Sequence, residues 1–348
     1  VSNDPIIAIT GSNGKTTTSH MLYNMCQSKE VEGTMAGNMG IPFSERVLNN
    51  IKDPKENILY ILEISSFQLE FIKHFSPNIL VYTNISPDHL DRHGSMEEYI
   101  NMKLNALINM KDKGQIVYNK DDSILEEVLS PFLYKKQPFS TKSKDVLYNI
   151  DNKNIIGPSN DKILEIDELG IPGEHNLQNF LAASTCSHLM GISQNQIVRT
   201  LKEFKGVEHR LEYVRTINEV EYINDSKATN INSVIVAINT YDQPIVLILG
   251  GFNKGANFRL LLPHIKSSHV RDIVSYGDAG GQINTALGDA VRSVQVTDLS
   301  SAVKEAQLMA APGDIVLLSP GCASYDEFSN FEERGNHFKS IIKNLAIS

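Results

Sequence analysis

With 348 residues, 41% of them hydrophobic and 21% charged, the chain has the composition of an ordinary globular protein and room for roughly two domains. Its formal charge of −9 has the wrong sign for gripping a nucleic-acid backbone, and no apolar run approaches the roughly 20 residues of a membrane helix. The three cysteines lie far apart without the spacing of a zinc or disulfide framework, so we expect a cytoplasmic protein that binds neither nucleic acid nor membrane.

The first predicted strand, residues 6–9, leads directly into the loop GSNGKTT at 11–17. A standard phosphate-binding loop reads G-x-x-x-x-G-K-[ST] and would need glycine where this chain has Ile9. The context still favours a nucleotide site, because the N–H groups of the loop and a helix starting at Lys15 would form a cradle for anions. Lys15 would reach the outer phosphates and the Thr16 hydroxyl would bind Mg²⁺. The alternative is an ordinary glycine turn that caps a helix.

Polar side chains follow the next two predicted strands. Glu63 comes directly after the apolar strand 58–62, at the end where open α/β sheets place their ligands. It is either a ligand of the nucleotide's Mg²⁺ or a salt-bridged or partly solvated carboxylate. His89 follows the strand 79–82 and is either a substrate or Mg²⁺-site residue or a capping or surface histidine. Its spacing from His93 does not indicate a zinc pair, because the glutamate of H-E-x-x-H is missing.

A capped helix is predicted over 95–110, and Lys103 lies on it beside an apolar stripe. Taken alone, this lysine is typical of a surface side chain. The polar stretch 141–170 predicts short antiparallel strands, and helices follow at 176–190 and 194–204. Strands that alternate with helices indicate an α/β protein with a mostly parallel, doubly wound sheet.

We place a domain boundary at residue 207, which gives a first domain over 1–207 and a second over 208–348. The second begins with a predicted hairpin over 211–224. Cys322 is read as a packed residue, because no histidine accompanies it at the spacing of a nucleophile's partner. Further strands are predicted at 245–249, 273–276 and 315–318. Polar or glycine-rich loops that suit a ligand site lie at 224–230, 250–255 and 319–324. For the loop at 224–230, a plain helix cap is the alternative.

Together these motifs resemble the Mur ligase family, the ATP-dependent amino-acid-adding enzymes of peptidoglycan synthesis, which are related to folylpolyglutamate synthase. The family's loop reads G-[ST]-N-G-K-[ST]-[ST] and lacks the first P-loop glycine, so Ile9 is expected there. Within the family, the run NDSKATN discriminates best for the D-glutamate-adding type. The segments that carry the resemblance are GNMG at 37–40, LEISSFQL at 62–69, DHLDR at 88–92, HR at 209–210, NDSKATN at 224–230 and SPGCAS at 319–324.

The resemblance implies a central P-loop-type ATPase domain with a mostly parallel sheet, followed by a C-terminal Rossmann-like domain that binds the amino acid. It implies an amide ligase that uses ATP and Mg²⁺ to join D-glutamate to UDP-N-acetylmuramoyl-L-alanine through an acyl phosphate, releasing ADP and phosphate. Such chemistry asks for positioning and charge neutralisation rather than a protein nucleophile. A cytoplasmic monomer that serves cell-wall biogenesis, cell shape and cell division is the expectation.

Each candidate residue receives a role from the resemblance. Lys15, His89 and Lys103 would be catalytic, and Lys103 would carry a carbamate that turns its cation into an oxygen ligand. The Mg²⁺ ligands would be Thr16, Glu63, His89 and the carbamylated Lys103. ATP would be bound by Gly11, Ser12, Asn13, Gly14, Lys15, Thr16, Thr17, Asn176, Arg210 and Asp225. The substrates would be bound by Asn38, His89, Lys227, Thr229, Lys254, Ser324 and Phe331, the last five lining the D-glutamate pocket, with a helix core position as the alternative for Phe331.

Full-length members of this type have an N-terminal Rossmann-like domain that holds the UDP end of the substrate, and nothing in this chain corresponds to it. The chain is therefore expected to comprise the central and C-terminal domains only. The alternative enzyme is a folylpolyglutamate-synthase-like ligase, which shares the loop but not the NDSKATN run. The alternative outside the enzymes is an inactive nucleotide-binding fragment.

Overall fold

The computed structural model describes the chain over residues 4–28, 31–38, 40–111, 113–171 and 173–345. Two compact units divide between Lys205 and Gly206, two residues before the boundary expected at 207. Each unit has its own sheet with helices packed against it. The predicted α/β fold with mostly parallel sheets is confirmed.

The first unit alternates strands with helices. Its strands are β1 Ile6–Thr10, β2 Glu32–Gly37, β3 Ile58–Glu63, β4 Ile79–Tyr82, β5 Gln115–Asn119, β6 Lys135–Phe139, β7 Asn149–Asp151, β8 Asn154–Ile156 and β9 Lys162–Glu165. Its helices are α1 Lys15–Met25, α2 Phe43–Lys52, α3 Ser66–Leu69, α4 Leu90–His93, α5 Met96–Leu104, α6 Ser123–Leu129, α7 Glu174–Leu189 and α8 Gln194–Glu203. Within the described residues, β1 to β6 form a parallel sheet in the order β2-β3-β1-β4-β5-β6, and β7 to β9 form the small antiparallel sheet predicted over 141–170.

The central strands of the parallel sheet are buried over their whole length. All residues of β1, β3 and β4 are buried, which explains their continuous apolar runs, because helices cover both faces of such a sheet. Parallel pairing sets Ile9 beside Glu63 and Thr10 beside Tyr82. The loop after β1, the carboxylate of Glu63 and the loop after β4 therefore lie at one edge of the sheet.

The helix expected over 95–110 is shorter in the structure. Ser95 caps α5 as predicted, its hydroxyl accepting the backbone N–H of Glu98 at 3.1 Å. The α-helix ends at Leu104 and tightens into a 3₁₀ turn at Asn105–Leu107. Burial of Ala106 and Leu107 in the core accompanies this tighter turn, so tertiary packing overrides the helical spacing of the sequence.

The second unit begins with the predicted hairpin. Its strands are β10 Glu212–Ile217, β11 Val220–Asn224, β12 Ile245–Gly250, β13 Val270–Tyr276, β14 Arg292–Gln295 and β15 Ile315–Gly321. Its helices are α9 Ile231–Ile238, α10 Leu262–Ser267, α11 Gly280–Leu287, α12 Leu299–Met309 and α13 Phe331–Asn344. In the described residues the sheet order is β10-β11-β15-β12-β13-β14, parallel except for the β10–β11 pair.

The last strand in the sequence lies in the middle of this sheet. Because β15 inserts between β11 and β12, the carboxyl ends of these three strands are neighbours. The loops that follow them are hydrogen bonded to one another: Gly321 N donates to Ala228 O at 2.8 Å, and Phe252 N donates to Ala323 O at 2.8 Å. The topology thus gathers the three polar loops that the sequence places far apart.

Among the described residues, the structure contains no helix that is both long and apolar enough to span a membrane.

Candidate nucleotide and amino-acid sites

The glycine-rich loop of the first unit joins β1 to α1 in a strand–loop–helix arrangement. Gly14 caps α1 with a left-handed backbone, φ 84°, and a Cβ at this position would lie 2.3 Å from Asn179 Oδ1. Glycine is therefore required both by the backbone conformation and by the close approach of α7. The start of α1 directs its N-terminal N–H groups into the loop, the geometry that cradles phosphate.

Side chains from the loop after β4 hold the phosphate loop in place. Asn84 Oδ1 accepts the N–H of Asn13 at 2.9 Å, and Ser12 N donates to Asn84 O at 2.9 Å. The Ser12 hydroxyl accepts the N–H of Ser86 at 2.9 Å and lies 2.9 Å from the hydroxyl of Tyr99. The loop is thus pinned by a neighbouring strand and by α5, which preorganises it for a ligand.

The Lys15 amine folds back over the loop. It donates to Gly11 O and Ser12 O, each at 2.8 Å. Thr16 and Thr17 follow on the first turn of α1, and both are buried. The residues predicted to contact phosphate therefore lie together in one loop, and the Lys15 amine is hydrogen bonded to the backbone of that loop.

Glu63 has the features of a cation ligand. Its side chain is 3% exposed, and Oε1 accepts the Asn38 side-chain amide at 3.0 Å. Oε2 is buried and has no hydrogen-bond partner among the described residues. Leaving a carboxylate oxygen buried and unpaired is costly, so the donor set fits a hard cation such as Mg²⁺. Met39, the next residue of the GNMG segment, lies outside the described residues.

Lys103 is buried, contrary to the surface position that its spacing alone indicates. It is 2% exposed, its Nζ donates to Gly11 O at 3.0 Å, and the same atom lies 4.5 Å from the centroid of the Tyr99 ring. Burial, followed by the charge of Lys15, lowers the pKa of Lys103 well below its ordinary value. The helix α5 thus delivers an amine that favours its neutral form to the edge of the phosphate loop.

His89 stands at the exposed start of α4. It has a left-handed backbone, φ 52°, and its Nε2 lies 3.5 Å from Asp88 Oδ2. Its ring packs edge-on against the Phe67 ring, with 4.9 Å between the ring centroids. The His93 ring stacks on the same Phe67 ring, with 5.4 Å between centroids. Because α4 spans only Leu90–His93, the two histidines do not form a helical zinc pair. The side chain of Asp91 in the same segment lies outside what the structure describes.

His93 has a structural role that the sequence did not reveal. It is buried, its Nε2 lies 2.9 Å from the Ser66 hydroxyl, and burial lowers its pKa. Asn176, predicted to bind adenine, is buried on α7 beside Asn179. Its neighbour Asn179 is the residue that approaches Gly14. The helix α7 therefore supports the phosphate loop from its far side.

Asp225 is the buried acid of the second unit. Its Oδ2 accepts the Ser319 hydroxyl at 2.8 Å, and its Oδ1 accepts the N–H of Leu211 at 3.2 Å. Burial raises the pKa of Asp225 to about 7, against the opposing effects of the Ser319 hydrogen bond and the Arg210 charge. Arg210 is half-buried and its charge acts on Asp225, so the two residues predicted to contact the phosphate and ribose of ATP lie close together in this unit.

The five residues predicted to line the D-glutamate pocket lie on the loops at the carboxyl ends of β11, β12 and β15 and at the start of α13. Lys227 Nζ lies 5.7 Å from the centroid of the Phe331 ring, so this phenylalanine is a contact of the loop. Lys254 is exposed and lies 4.8 Å from the ring centroid of Tyr325, which follows Ser324. Thr229 is exposed and Ser324 is buried.

Sequence reasoning missed several residues that shape the two sites. Thr83, Asn84 and Tyr99 clamp the phosphate loop, and Arg334 ties together the loops of the second unit. Arg334 lies one helical turn after Phe331, a spacing that places both on one face, but an arginine on an amphipathic helix is ordinarily read as exposed. Cys322 is buried with its pKa raised to about 12 by burial, which agrees with the packed residue expected.

Both units have mostly parallel sheets covered by helices. The first also has a strand–loop–helix turn of the kind that binds phosphate and a buried carboxylate suited to a cation, which is typical of nucleotide-using α/β enzymes. Family models narrow the class. The model described as the Mur ligase middle domain matches residues 9–187, and that described as Mur ligase, glutamate ligase domain matches residues 209–322. The chain belongs to the Mur ligase family.

Curated relatives match nearly the whole chain. The UDP-N-acetylmuramoylalanine--D-glutamate ligase of Clostridioides difficile (strain 630) is 40% identical over 351 residues, which cover 99% of this chain and 77% of that protein. The enzyme of the same name from Natranaerobius thermophilus is 41% identical, covering 98% of this chain and 74% of that protein. The predicted family and the predicted ligase class are confirmed by these matches.

Solved structures share the fold at low identity. The MurF ligase of Thermotoga maritima in complex with ADP superposes with a TM-score of 0.72 at 17% identity, covering 99% of this chain and 81% of that one. The UDP-N-acetylmuramate-alanine ligase MurC of the same organism gives a TM-score of 0.67 at 18% identity, covering 98% of this chain and 76% of that one. Both similarities concern the arrangement of helices and strands.

Proposed function

We propose that the chain is the ATP-dependent ligase that joins D-glutamate to UDP-N-acetylmuramoyl-L-alanine in peptidoglycan precursor synthesis. The observation that carries the proposal is the pair of curated relatives of that name at about 40% identity over nearly the whole chain. In the proposed reaction the substrate carboxylate is activated as an acyl phosphate, and the D-glutamate amine then displaces phosphate to form the amide.

The first unit would supply the phosphate chemistry. Gly11 to Thr17 and Lys15 would hold the nucleotide phosphates, with Asn176 on the adenine and Thr16, Glu63 and His89 as candidate Mg²⁺ ligands. Glu63 Oε2, which has no partner in the part of the chain that the structure describes, supports the cation, and the cation would neutralise the charge that develops during phosphoryl transfer. Asn38 would orient Glu63 through its amide and reach the UDP-sugar substrate.

Lys103 would act as a carbamate. A neutral lysine amine attacks CO₂, a new N–C bond forms, and the amine proton passes to water, which leaves an anionic oxygen donor. The burial of this side chain and its pKa well below the ordinary value support the neutral amine that the reaction needs. Placed beside Gly11, the carbamate would face the same edge of the sheet as Glu63.

The second unit would supply the amino-acid site. Lys227, Thr229, Lys254, Ser324 and Phe331 would surround D-glutamate, and the two lysines would neutralise its carboxylates. Arg210 and Asp225 would contact the phosphate and ribose of ATP. The neighbouring carboxyl ends of β11, β12 and β15 support this assignment, because open α/β sheets bind ligands at that edge.

Phosphate release from ATP by the purified protein tests the function. Release should require UDP-N-acetylmuramoyl-L-alanine and D-glutamate together, and omission of either should leave only background hydrolysis. Stimulation by a folate in place of the UDP-sugar would favour the folylpolyglutamate-synthase-like alternative. ATP binding without amide formation would favour a non-catalytic nucleotide-binding protein.

We further propose a cytoplasmic monomer, since the reaction needs a supply of ATP and the sequence shows no disulfide spacing. Light scattering of the purified protein at several concentrations tests the monomer, and a mass that rises with concentration would contradict it.

A further inference from the structure

Arg334 is the largest side chain buried in the second unit. It lies on α13 and has no exposed surface. Its guanidinium makes four hydrogen bonds. Nε donates to Ser226 Oγ at 3.0 Å, Nη2 donates to Ser226 O at 2.8 Å and to Cys322 O at 3.1 Å, and Nη1 donates to Ala323 O at 3.2 Å. A fixed planar fork of donors thus holds the backbone of two separate loops.

A third loop closes over the same guanidinium. A Cβ on Gly251 would lie 3.0 Å from Arg334 Nη1 and 2.3 Å from Ala323 O, so the backbone after β12 packs directly against the ion. Phe252 and Ala323 exchange two backbone hydrogen bonds, at 2.8 and 3.1 Å. The loops after β11, β12 and β15 therefore meet around one side chain.

The residues next to these contacts are the proposed ligand residues. Lys227 directly follows Ser226, and Ser324 directly follows Ala323. Phe331 lies one helical turn before Arg334, and its carbonyl accepts the Ser226 hydroxyl at 2.8 Å. One guanidinium thus sets the backbone positions from which three candidate D-glutamate contacts project.

The hydrogen-bond partners of the Arg334 guanidinium carry no charge. None of the ion pairs formed by the described residues includes it, and the four hydrogen-bond acceptors are neutral oxygens. A buried cation of this kind costs free energy unless its donors find acceptors, and here each of the three guanidinium nitrogens donates at least one hydrogen bond. Asp225 and Glu327 feel the charge of Arg334 and offset part of it, and the positive potential that remains favours an anion bound over the loops.

We propose that Arg334 is a positioning residue for the amino-acid substrate: it holds the three loops in register and adds positive potential beneath the carboxylates of D-glutamate. This inference rests on the proposed function for the identity of the ligand. The holding of the loops is independent of that identity. Arg334 itself is buried beneath the loops and acts through Lys227, Ser324 and Phe331.

The central test compares Arg334→Lys with a matched control, Arg271→Lys. Lysine keeps the charge but has no planar fork, so it cannot reach all four acceptors. In Arg334→Lys we expect the KM for D-glutamate to rise about tenfold or more, while the KM for ATP changes less than about twofold. Arg271 is in the same unit and pairs with Asp272 and Asp314, so its variant should leave both constants unchanged. Equal rises in the two KM values, or an unchanged KM for D-glutamate in a folded variant, would overturn the proposal.

Hydrogen exchange supplies a readout that does not depend on activity. In Arg334→Lys the amides of 225–230 and 319–324 should exchange faster, while those of α12 should keep the wild-type rate. Unchanged protection in both loops would overturn the positioning role even if the wild-type protein ligates D-glutamate. If instead the loops lose protection and the wild-type protein fails to use D-glutamate, the proposed function is wrong and the positioning role stands.

A milder variant guards against loss of folding. Ser226→Ala removes one acceptor of Arg334 and the contact to Phe331 O but leaves three guanidinium hydrogen bonds. We expect a rise of roughly threefold in the KM for D-glutamate, as for the loss of a modest hydrogen bond. Arg334→Ala should recover part of its activity when free guanidinium is added at low millimolar concentration, whereas a general folding defect would not be relieved.

Discussion

Lys103 in the first unit and Asp225 in the second are both buried near the loops that follow the central strands, and they differ in sign and in neighbours. Lys103 in the first unit donates to Gly11 O and stacks over Tyr99, with its pKa lowered by burial and by Lys15. Asp225 in the second unit accepts from Ser319 and Leu211, with its pKa raised to about 7 by burial. Burial drives both groups toward the neutral form.

The contrast lies in what surrounds them. The first unit keeps its ligand groups incompletely satisfied: Glu63 Oε2 has no partner among the described residues, and two lysines converge on one stretch of backbone. In the second unit, Asp225 and the guanidinium of Arg334 each bond to loop atoms. An unsatisfied site suits ions and phosphates that complete it, whereas a satisfied one suits loops that must present side chains in fixed positions.

The largest expected effect removes the amine of the first unit. Lys103→Ala should reduce ligation on the order of 10³-fold, because it deletes the proposed anionic oxygen donor at the phosphate edge. Added bicarbonate or a short carboxylate such as formate should restore part of the rate, because either can place an anionic oxygen where the carbamate would lie. Phosphate release measures both effects. Lys113→Ala, an exposed lysine of the same unit, is the control, and wild-type turnover by Lys103→Ala would contradict the carbamate role.

The second prediction concerns the acid of the other unit. Because the folded-state pKa of Asp225 is about 7 and lies above the unfolded value, the folded state keeps its proton as pH rises, and stability falls between about pH 4 and pH 7. Asp225→Asn should therefore gain stability relative to wild type between pH 5 and pH 8, by roughly 2 to 3 kcal/mol.

Urea denaturation followed by circular dichroism at the two pH values measures this difference. Asp278→Asn, an exposed acid of the same unit, should show no such change. Parallel pH profiles for wild type and Asp225→Asn would show that the buried acid titrates in the ordinary range, and the contrast with Lys103 would be lost.

A smaller effect tests the backbone of the phosphate loop. Gly14→Ala should lower the free energy of unfolding by about 1 to 3 kcal/mol, because alanine meets both a left-handed backbone and Asn179 Oδ1. Gly191→Ala is a matched control in the same unit, since Gly191 has φ 76° and no atom within 4 Å of a built Cβ. Equal losses for the two variants would mean that the contact with α7 contributes nothing.

The smallest expected effect concerns the cation held by an aromatic ring in the second unit. Tyr325→Ala should raise the KM for D-glutamate about two- to fivefold, because an exposed cation–π contact to Lys254 contributes about 0.5 to 1 kcal/mol. Tyr213→Ala removes an exposed tyrosine elsewhere in the unit and should have no effect. If Tyr325→Ala leaves the KM for D-glutamate unchanged, the contact with Tyr325 does not position Lys254 in the proposed site.

Local sequence patterns predicted which strands and helices form more accurately than the residues at which they end. The apolar runs of β1, β3 and β4 are strands because each is long enough and bounded by turn residues, and GSNGKTT follows one of them as predicted. The predicted helix over 95–110 extends too far, because the chain tightens into a 3₁₀ turn where Ala106 and Leu107 pack into the core. Lys103 could be assigned a role only through family resemblance, because its spacing is that of a surface residue.

By itself, the sequence determined the α/β class and the glycine-rich turn between β1 and α1, because both depend on residues close together in the chain. It also predicted a boundary at residue 207, and the compact units of the structure divide between Lys205 and Gly206. Only the tertiary structure decided that Lys103 is buried at Gly11, that Glu63 has an oxygen without a partner among the described residues, and that Arg334 joins loops more than 90 residues apart in sequence. These contacts arise from sheet order and helix packing, which bring distant segments together and leave no local pattern to read.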